Sequence, residues 1–323
     1  MKFLITGGAG FIGSHLAERL IKDGHSVLAL DNLSTGSMDN IAGLADEPRF
    51  RCVIGSVLDA MLVEELVEEC DVVVHLAAAV GVQTIMDTPR QALHSNVEGT
   101  STVLAAASRA DKLILIASTS EVYGKSTDIP FNEAADITLG PTAKIRWSYA
   151  YAKAVDECLA IAYAHEGRAR PVITRFFNTT GPRQTGRYGM VLPNFVMSAL
   201  KNEPIMVHGD GSQTRSFGHV SDVVEAVVRL LAAPEAVGEI FNVGNDEEIS
   251  ILALAEKVRA MAESSSEIRL LPYDKAYGPG FEDMRRRVPD VSKLERVTGF
   301  RPRLSLDRII ADIIEEKRAT LGL

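Results

Sequence analysis

Apolar residues fall along this chain in short runs separated by amphipathic stretches, and the alternation persists through the first 178 residues. KFLIT at 2–6 reads as a buried strand, and a helical pattern follows its glycines to about Asp23. SVLAL at 26–30 and RFRCVIG at 49–55 read as strands, and LVEELVEEC at 62–70 as a helix with an acidic solvent face. DVVVHLAA at 71–78 is a strand, 89–110 a long helix, KLILIAS at 112–118 the fifth strand and PVITRFFN at 171–178 the next. Strands alternating with helices predict an α/β fold, a doubly wound parallel sheet of the Rossmann type, with ligands received at the carboxyl ends of the strands.

After 178 the loops lengthen and Pro and Gly cluster, at 181–190, 209–214 and 277–280. A smaller C-terminal substrate domain is therefore expected over 179–323, beside a dinucleotide domain at 1–178. The helical 219–234 and the strand EIFNVG at 239–244 are expected to return to the first domain. The stretch from Trp147 to His165 has little polar surface, mainly Lys153, Asp156 and Glu157. A helix apolar nearly all round must be buried on more than one side. Together with the 89–110 helix it predicts the interface of a homodimer, the alternative being burial inside one chain.

The candidate chemistry sits at the strand ends. Gly7, Gly10 and Gly13 follow the first strand and open a helix, where a tight turn, close backbone approach to a pyrophosphate and close helix packing each exclude a side chain. Asp31 ends the second strand, 18 positions after Gly13, where a carboxylate accepts both ribose hydroxyls of an adenosine and repels a 2′-phosphate. The cofactor expected is thus NAD, not NADP. Tyr149 and Lys153 are four apart and share one helix face. A free phenol titrates near 10, so poising it near neutral pH takes roughly three units, about 4 kcal/mol. The lysine and the positive charge of an oxidised nicotinamide could supply most of that. The resulting phenolate would be a general base for a sugar hydroxyl. The fifth strand delivers Ser118, Thr119, Ser120 and Glu121 to the same edge.

Composition narrows the partners. The 323 residues are 46% hydrophobic and 24% charged with a formal charge of −9, which argues against a nucleic-acid surface and leaves any anionic ligand to local cations. Arginines at 183, 187, 215, 285, 286 and 287 are the candidates, since guanidinium forks match phosphate oxygens. No apolar run approaches the roughly 18 residues of a membrane span, and the opening segment reads as strand and turn, not a signal peptide. Cys52, Cys70 and Cys158 lack close spacing and suggest reduced thiols in a cytoplasmic protein; the histidines show no metal-ligand spacing, so no metal is expected.

GGAGFIG, Asp31-Asn32, HLAA at 75–78, NVEGT at 96–100, STSEVYG at 118–124, the Tyr149/Lys153 pair, RFFN at 175–178, GPRQ at 181–184 and SQTRSFGHVSD at 212–222 together resemble the extended short-chain dehydrogenase/reductase family of nucleotide-sugar epimerases, dehydratases and decarboxylases. The resemblance spans essentially the whole chain. It implies catalysis by Thr119, Tyr149, Lys153 and Glu121, with Thr119 bonding the sugar oxygen and Lys153 also holding the nicotinamide ribose. It implies cofactor contacts from Gly7, Gly10, Phe11, Ile12, Gly13, Asp31, Asn32, Leu76, Ala77, Ala78, Asn96, Ser118, Tyr149, Lys153 and Phe176. Ser56-Val57 stands where many relatives have Asp before the apolar residue, so adenine would meet Ser56 and pack on Val57. Substrate contacts are implied for Thr119, Ser120, Asn178, Arg183, Arg187, Arg215 and Arg287. Dehydratases of the family usually carry Asp where this chain has Ser120. The Ser120-Glu121 pair and the stretch 177–217 look like UDP-glucuronate decarboxylases, whereas 77–89 looks like UDP-sugar 4-epimerases. The resemblance implies conversion of UDP-glucuronate to UDP-xylose through a 4-keto sugar. The alternatives are a UDP-hexose or UDP-hexuronate 4-epimerase, a 4,6-dehydratase and a catalytically silent NAD-binding regulator.

Overall fold

The computed structural model describes residues 1–186, 189–277 and 282–323. In chain order the first elements are β1 (Lys2–Thr6), α1 (Phe11–Lys22), β2 (Ser26–Asp31), β3 (Phe50–Ile54), α2 (Ala60–Glu68), β4 (Val72–His75) and α3 (Val82–Asp87). They continue with α4 (Pro89–Arg109), β5 (Leu113–Thr119), α5 (Ser148–His165), β6 (Arg170–Phe176), α6 (Val191–Leu200) and α7 (Val220–Ala232). A seventh strand, Ile240–Val243, pairs parallel with β6. The sheet order is Ile240–Val243, β6, β5, β4, β1, β2, β3, all parallel. Chain direction across the sheet reverses between β1 and β4, and a ligand crevice opens at such a switch point.

The two faces of the sheet sort the sequence by parity, because successive strand side chains point to opposite faces. Phe3, Ile5, Val72, Val74 and Leu115 pack with α1 and α7, while Leu4, Val73, Ile114 and Ile116 pack with α2 and α4. Both faces are covered, which is why these strands read as unbroken apolar runs. A separate core gathers α6, the helices Ile251–Met261 and Leu306–Leu321, and the parallel pair Ile205–His208 with Ile268–Leu271.

A smaller cluster of Tyr123, Phe131, Trp147, Phe177 and Met284 joins distant segments. Phe131 N donates to Val288 O (2.8 Å) and Asp290 N to Phe131 O (2.9 Å), which fixes the C-terminal arginine run beside the end of β5.

Residues 82–87, to which the sequence pattern assigns no element, form α3. The helix α5 is not enclosed by its own chain: Ala152 and Ala160 are buried, but Val155 and Ile161 are 47% and 37% exposed, with Cys158 on the same outward stripe. Among the described residues no helix is long and apolar enough to cross a membrane.

Candidate active site

One cleft of about 790 Å³ runs along the carboxyl ends of the strands. At one end the chain turns from β1 into α1 around glycines. Gly7 has φ +74°, and a Cβ there would lie 2.9 Å from the Ala77 nitrogen; a Cβ on Gly13 would lie 2.1 Å from the Gly7 carbonyl oxygen. The α1 N-terminus has Gly10 as its cap and receives no side-chain capping bond, so its N–H groups are available to an anion. Asp31 accepts from Ala9 N (3.0 Å) and Leu33 N (2.8 Å), which locks its carboxylate against the glycine turn at the cleft wall. Gly10, Phe11, Ile12, Asn32, Ser56, Val57, Leu76, Ala77, Ala78, Ser118 and Phe176 line the same cleft. Ser118 Oγ also donates to Glu157. The wall fits an adenosine ribose and pyrophosphate: backbone donors, small residues and the Asp31 carboxylate. The cleft's described cations, Arg146, Lys153, Arg215 and Arg287, are all bound to carboxylates elsewhere.

Asn96 departs from expectation. Its amide accepts from Ala79 N (2.7 Å) and donates to Ala79 O (3.1 Å), so it braces the loop after β4 and does not line the cleft.

In mid-cleft, β5 ends at Thr119, whose hydroxyl accepts from Glu121 N (3.2 Å) and caps the following turn. Tyr149 and Lys153 reach the cleft from α5. In this structure the phenol stands above its ordinary value. Burial pushes Tyr149 up from its ordinary value, the charges of Glu121 and Asp156 add to that, and a bond with Thr119 opposes them. Lys153 Nζ instead donates to Asp156 Oδ2 at 3.0 Å, and both groups are buried.

The far end of the cleft is built from charge. Glu121 pairs with Arg146 (2.7 Å) and Arg287 (2.9 Å). Arg215 pairs with Asp283 (2.7 Å) and donates to Met284 O (2.8 Å). Arg146 also faces Asp283 at 3.5 Å. Three guanidiniums against two carboxylates leave one net positive charge. Burial raises the Glu121 carboxyl, but Arg146 and Arg287 outweigh it and hold it at about 2. Ser120 Oγ lines the cleft, buried and without a hydrogen-bond partner.

Of the arginine run only Arg287 reaches the cleft; Arg285 is exposed and Arg286 pairs with Glu248 at 2.7 Å. Asn178 lines the cleft while its amide donates to Ser216 O (2.8 Å). Arg183 is a correction: it bonds Glu18 (2.6 Å) and Ser14 (3.3 Å) on α1 and does not line the cleft. Its φ of +69° turns the chain that way. Arg187 lies outside the described residues. Sequence reasoning missed Arg146 and Asp283. Arg146 had a signal, since it stands three residues before Tyr149 at the entrance to α5; Asp283, in a polar loop, had none.

The family model described as "NAD dependent epimerase/dehydratase family" matches residues 3–244. A UDP-N-acetyl-alpha-D-glucosaminuronate decarboxylase from Bacillus cytotoxicus is 44% identical, covering 97% of this chain and 96% of that protein. UDP-glucuronic acid decarboxylase 1 of Arabidopsis thaliana is 36% identical, over 98% of this chain and 70% of its own length. Among solved structures, the UDP-glucuronic acid 4-epimerase of Bacillus cereus, in complex with UDP-glucuronic acid and NAD, superposes with a TM-score of 0.89 at 27% identity, covering 99% of this chain and 100% of that one.

Proposed function

We propose that this chain, which belongs to the NAD dependent epimerase/dehydratase family, is a decarboxylase of UDP-linked hexuronates acting through a 4-keto sugar. Its cofactor is NAD, and the glycine turn with Asp31 is the wall that fits it. The observation that carries the reading is Glu121 clasped by two guanidiniums in the same cleft as Thr119 and Tyr149.

NAD, when bound, supplies the oxidation at carbon 4 and its reversal, and its cationic ring lowers the phenol that burial raises. Tyr149 takes the proton from the carbon-4 hydroxyl, and Thr119 holds that oxygen. A hexuronate brings one negative charge beyond its diphosphate, and the net positive charge among Arg146, Arg215 and Arg287 receives it. Loss of carbon dioxide sends the bonding electrons from carbon 5 into the carbon-4 ketone. The Thr119 and Tyr149 hydroxyls stabilise the enolate oxygen that forms. Glu121, ionised at any working pH, is not itself the acid for carbon 5. It orients Arg287 beside the leaving carboxylate, and the one proton that carbon 5 gains in place of carbon dioxide comes from solvent.

The two relatives' named substrates differ at carbon 2, hydroxyl against acetamido, and share the carboxylate. The chain is therefore expected to turn UDP-glucuronate into UDP-xylose and the acetamido uronate into the matching acetamidopentose. The higher identity to the first relative makes the acetamido substrate the faster one. Feeding each and identifying products by mass and sugar analysis tests this. In the same assay Glu121→Gln should slow carbon dioxide release far more than the first oxidation. A product with all carbons retained and carbon 4 inverted would replace this reading with a 4-epimerase, the activity named for the Bacillus cereus neighbour.

The same reading assigns residues 1–178 with 219–244 to cofactor binding and the rest of 179–323 to the nucleotide sugar. It places the outward stripe of α5 (Val155, Ile161), with Leu93 on α4 (42% exposed), against a second copy in a cytoplasmic homodimer.

A further inference from the structure

Beneath the catalytic pair lies a chain of buried polar groups that no step above uses. Ala77 N donates to Thr6 Oγ1 (3.3 Å), Thr6 Oγ1 meets His75 Nδ1 (2.8 Å), and His75 Nε2 meets Thr100 Oγ1 (3.1 Å). Thr100 lies beside the Asp156 carboxylate, whose Oδ2 takes the Lys153 ammonium at 3.0 Å while its Oδ1 is buried without a hydrogen-bond partner. Thr6, His75, Thr100, Lys153 and Asp156 are each no more than 2% exposed. The donors fix the direction. Ala77 N–H can only donate, so the Thr6 hydroxyl hydrogen is free to point to His75 Nδ1. The histidine is then the neutral Nε2–H tautomer, and Thr100 accepts from it. Burial and Lys153 hold His75 down at about 3, in keeping with a neutral ring. The chain leads toward Asp156, whose carboxyl burial pushes up and the Lys153 ammonium pulls down.

We propose that Asp156 is a positioning residue for this reaction: it anchors the Lys153 ammonium and divides that charge between itself and the Tyr149 phenol. The Thr100–His75–Thr6 chain packs behind Asp156 and runs to Ala77, which lies against Gly7 at the cofactor turn. Asp156 itself does not line the cleft, so it acts only through Lys153. The charged and titratable groups around the pair are few. Glu157 and Lys153 share α5, His75 comes from β4, Glu121 and Arg146 flank Tyr149, and α4 offers uncharged Thr100; Arg175 from β6 is bound to Glu157. Of these only Glu121 and Asp156 push the phenol up by charge, and Glu121 is already compensated by two arginines.

The inference rests on Tyr149 being the base, not on which uronate is consumed. Asp156→Asn keeps the shape and removes the charge, leaving the whole ammonium to act on Tyr149. The rising limb of the kcat–pH profile should move down by about one unit, roughly tenfold more phenolate below the midpoint. KM for the nucleotide sugar should stay within about twofold. A second readout needs no substrate: the phenolate absorbance of the purified protein minus that of its Tyr149→Phe variant should show the same downward move. An absorbance midpoint that stays or rises, with only the melting temperature falling, would mean that Asp156 is structural and would overturn the proposal. If the Asn variant does not fold, Thr100→Val weakens the same carboxylate and should move the midpoint in the same direction by less. An unmoved midpoint there is equally fatal.

Discussion

The two ends of the cleft are made of different materials. The cofactor end is shaped by backbone: glycines at 7 and 13 leave no room for a methyl group, and its one carboxylate, Asp31, bonds only neighbouring main-chain N–H groups. The sugar end is shaped by charge: Glu121, Arg146, Arg215, Asp283 and Arg287 hold one another across wide gaps in sequence. Shape of the first kind is local and fails sterically. A mutual charge clasp fails when one member is removed, because its buried partner is left uncompensated.

That contrast can be broken by experiment. The largest effect is expected between the two ends, where Tyr149→Phe removes the base without changing either wall. Turnover should fall on the order of a hundred- to ten-thousandfold while bound NAD survives, as read by stopped assays and by nucleotide released on denaturation. Turnover near the wild-type rate would remove Tyr149 from the mechanism.

Next, Arg146→Met should destabilise the fold by about 3–5 kcal/mol, since Glu121 loses its 2.7 Å partner. Adding Glu121→Gln should recover part of that loss in denaturant titrations. Additive losses would show that the clasp is not one unit. At the cofactor end, Asp31→Ala should weaken NAD by about tenfold or more in calorimetry, with the affinity for a UDP-sugar unchanged. A matched loss of both would mean that the two ends are coupled.

The smallest effect concerns acid. Glu121 is held at about 2 against an ordinary 4.5, so its pairing contributes stability that is complete above about 4.5 and disappears as pH falls toward 2. The wild type should therefore exceed Glu121→Gln in stability at pH 6, and the two should converge near pH 2. Parallel curves would show that the arginines do not hold the carboxylate down.

Legibility in the sequence followed the same division. The parallel sheet, the glycine turn and Asp31 were readable because each is announced by a pattern within a single strand–turn–helix segment. The charge clasp was readable only where a motif marked it, at Glu121, Arg215 and Arg287. Arg146 and Asp283 take their meaning from contacts with Glu121, Arg215 and each other, residues on separate segments of the chain, which no local pattern records. Asn96 and Arg183 show the opposite error. Both belong to readable motifs, yet a motif says which residue is present and not where its side chain turns, and both turn to bracing contacts. Tyr149 and Lys153 are legible from their spacing taken together with the glycine turn and the hydroxyl-bearing end of β5, while Asp156, one turn further on, reads as a solvent-facing residue on an apolar helix although it is fully buried.

The position of Ile240–Val243 in the sheet also constrains how the protein is made. Strand β6 is complete at Phe176, but its outer neighbour ends roughly 65 residues later, after the chain has built α6 and α7. At about 5–20 residues per second on the ribosome, that leaves an apolar edge carrying Val172 and Ile173 open for roughly 3 to 13 s. An unpaired edge of this kind templates association between nascent chains. Nascent chains stalled before Ile240 should therefore recruit holdase chaperones, and those released past Val243 should not.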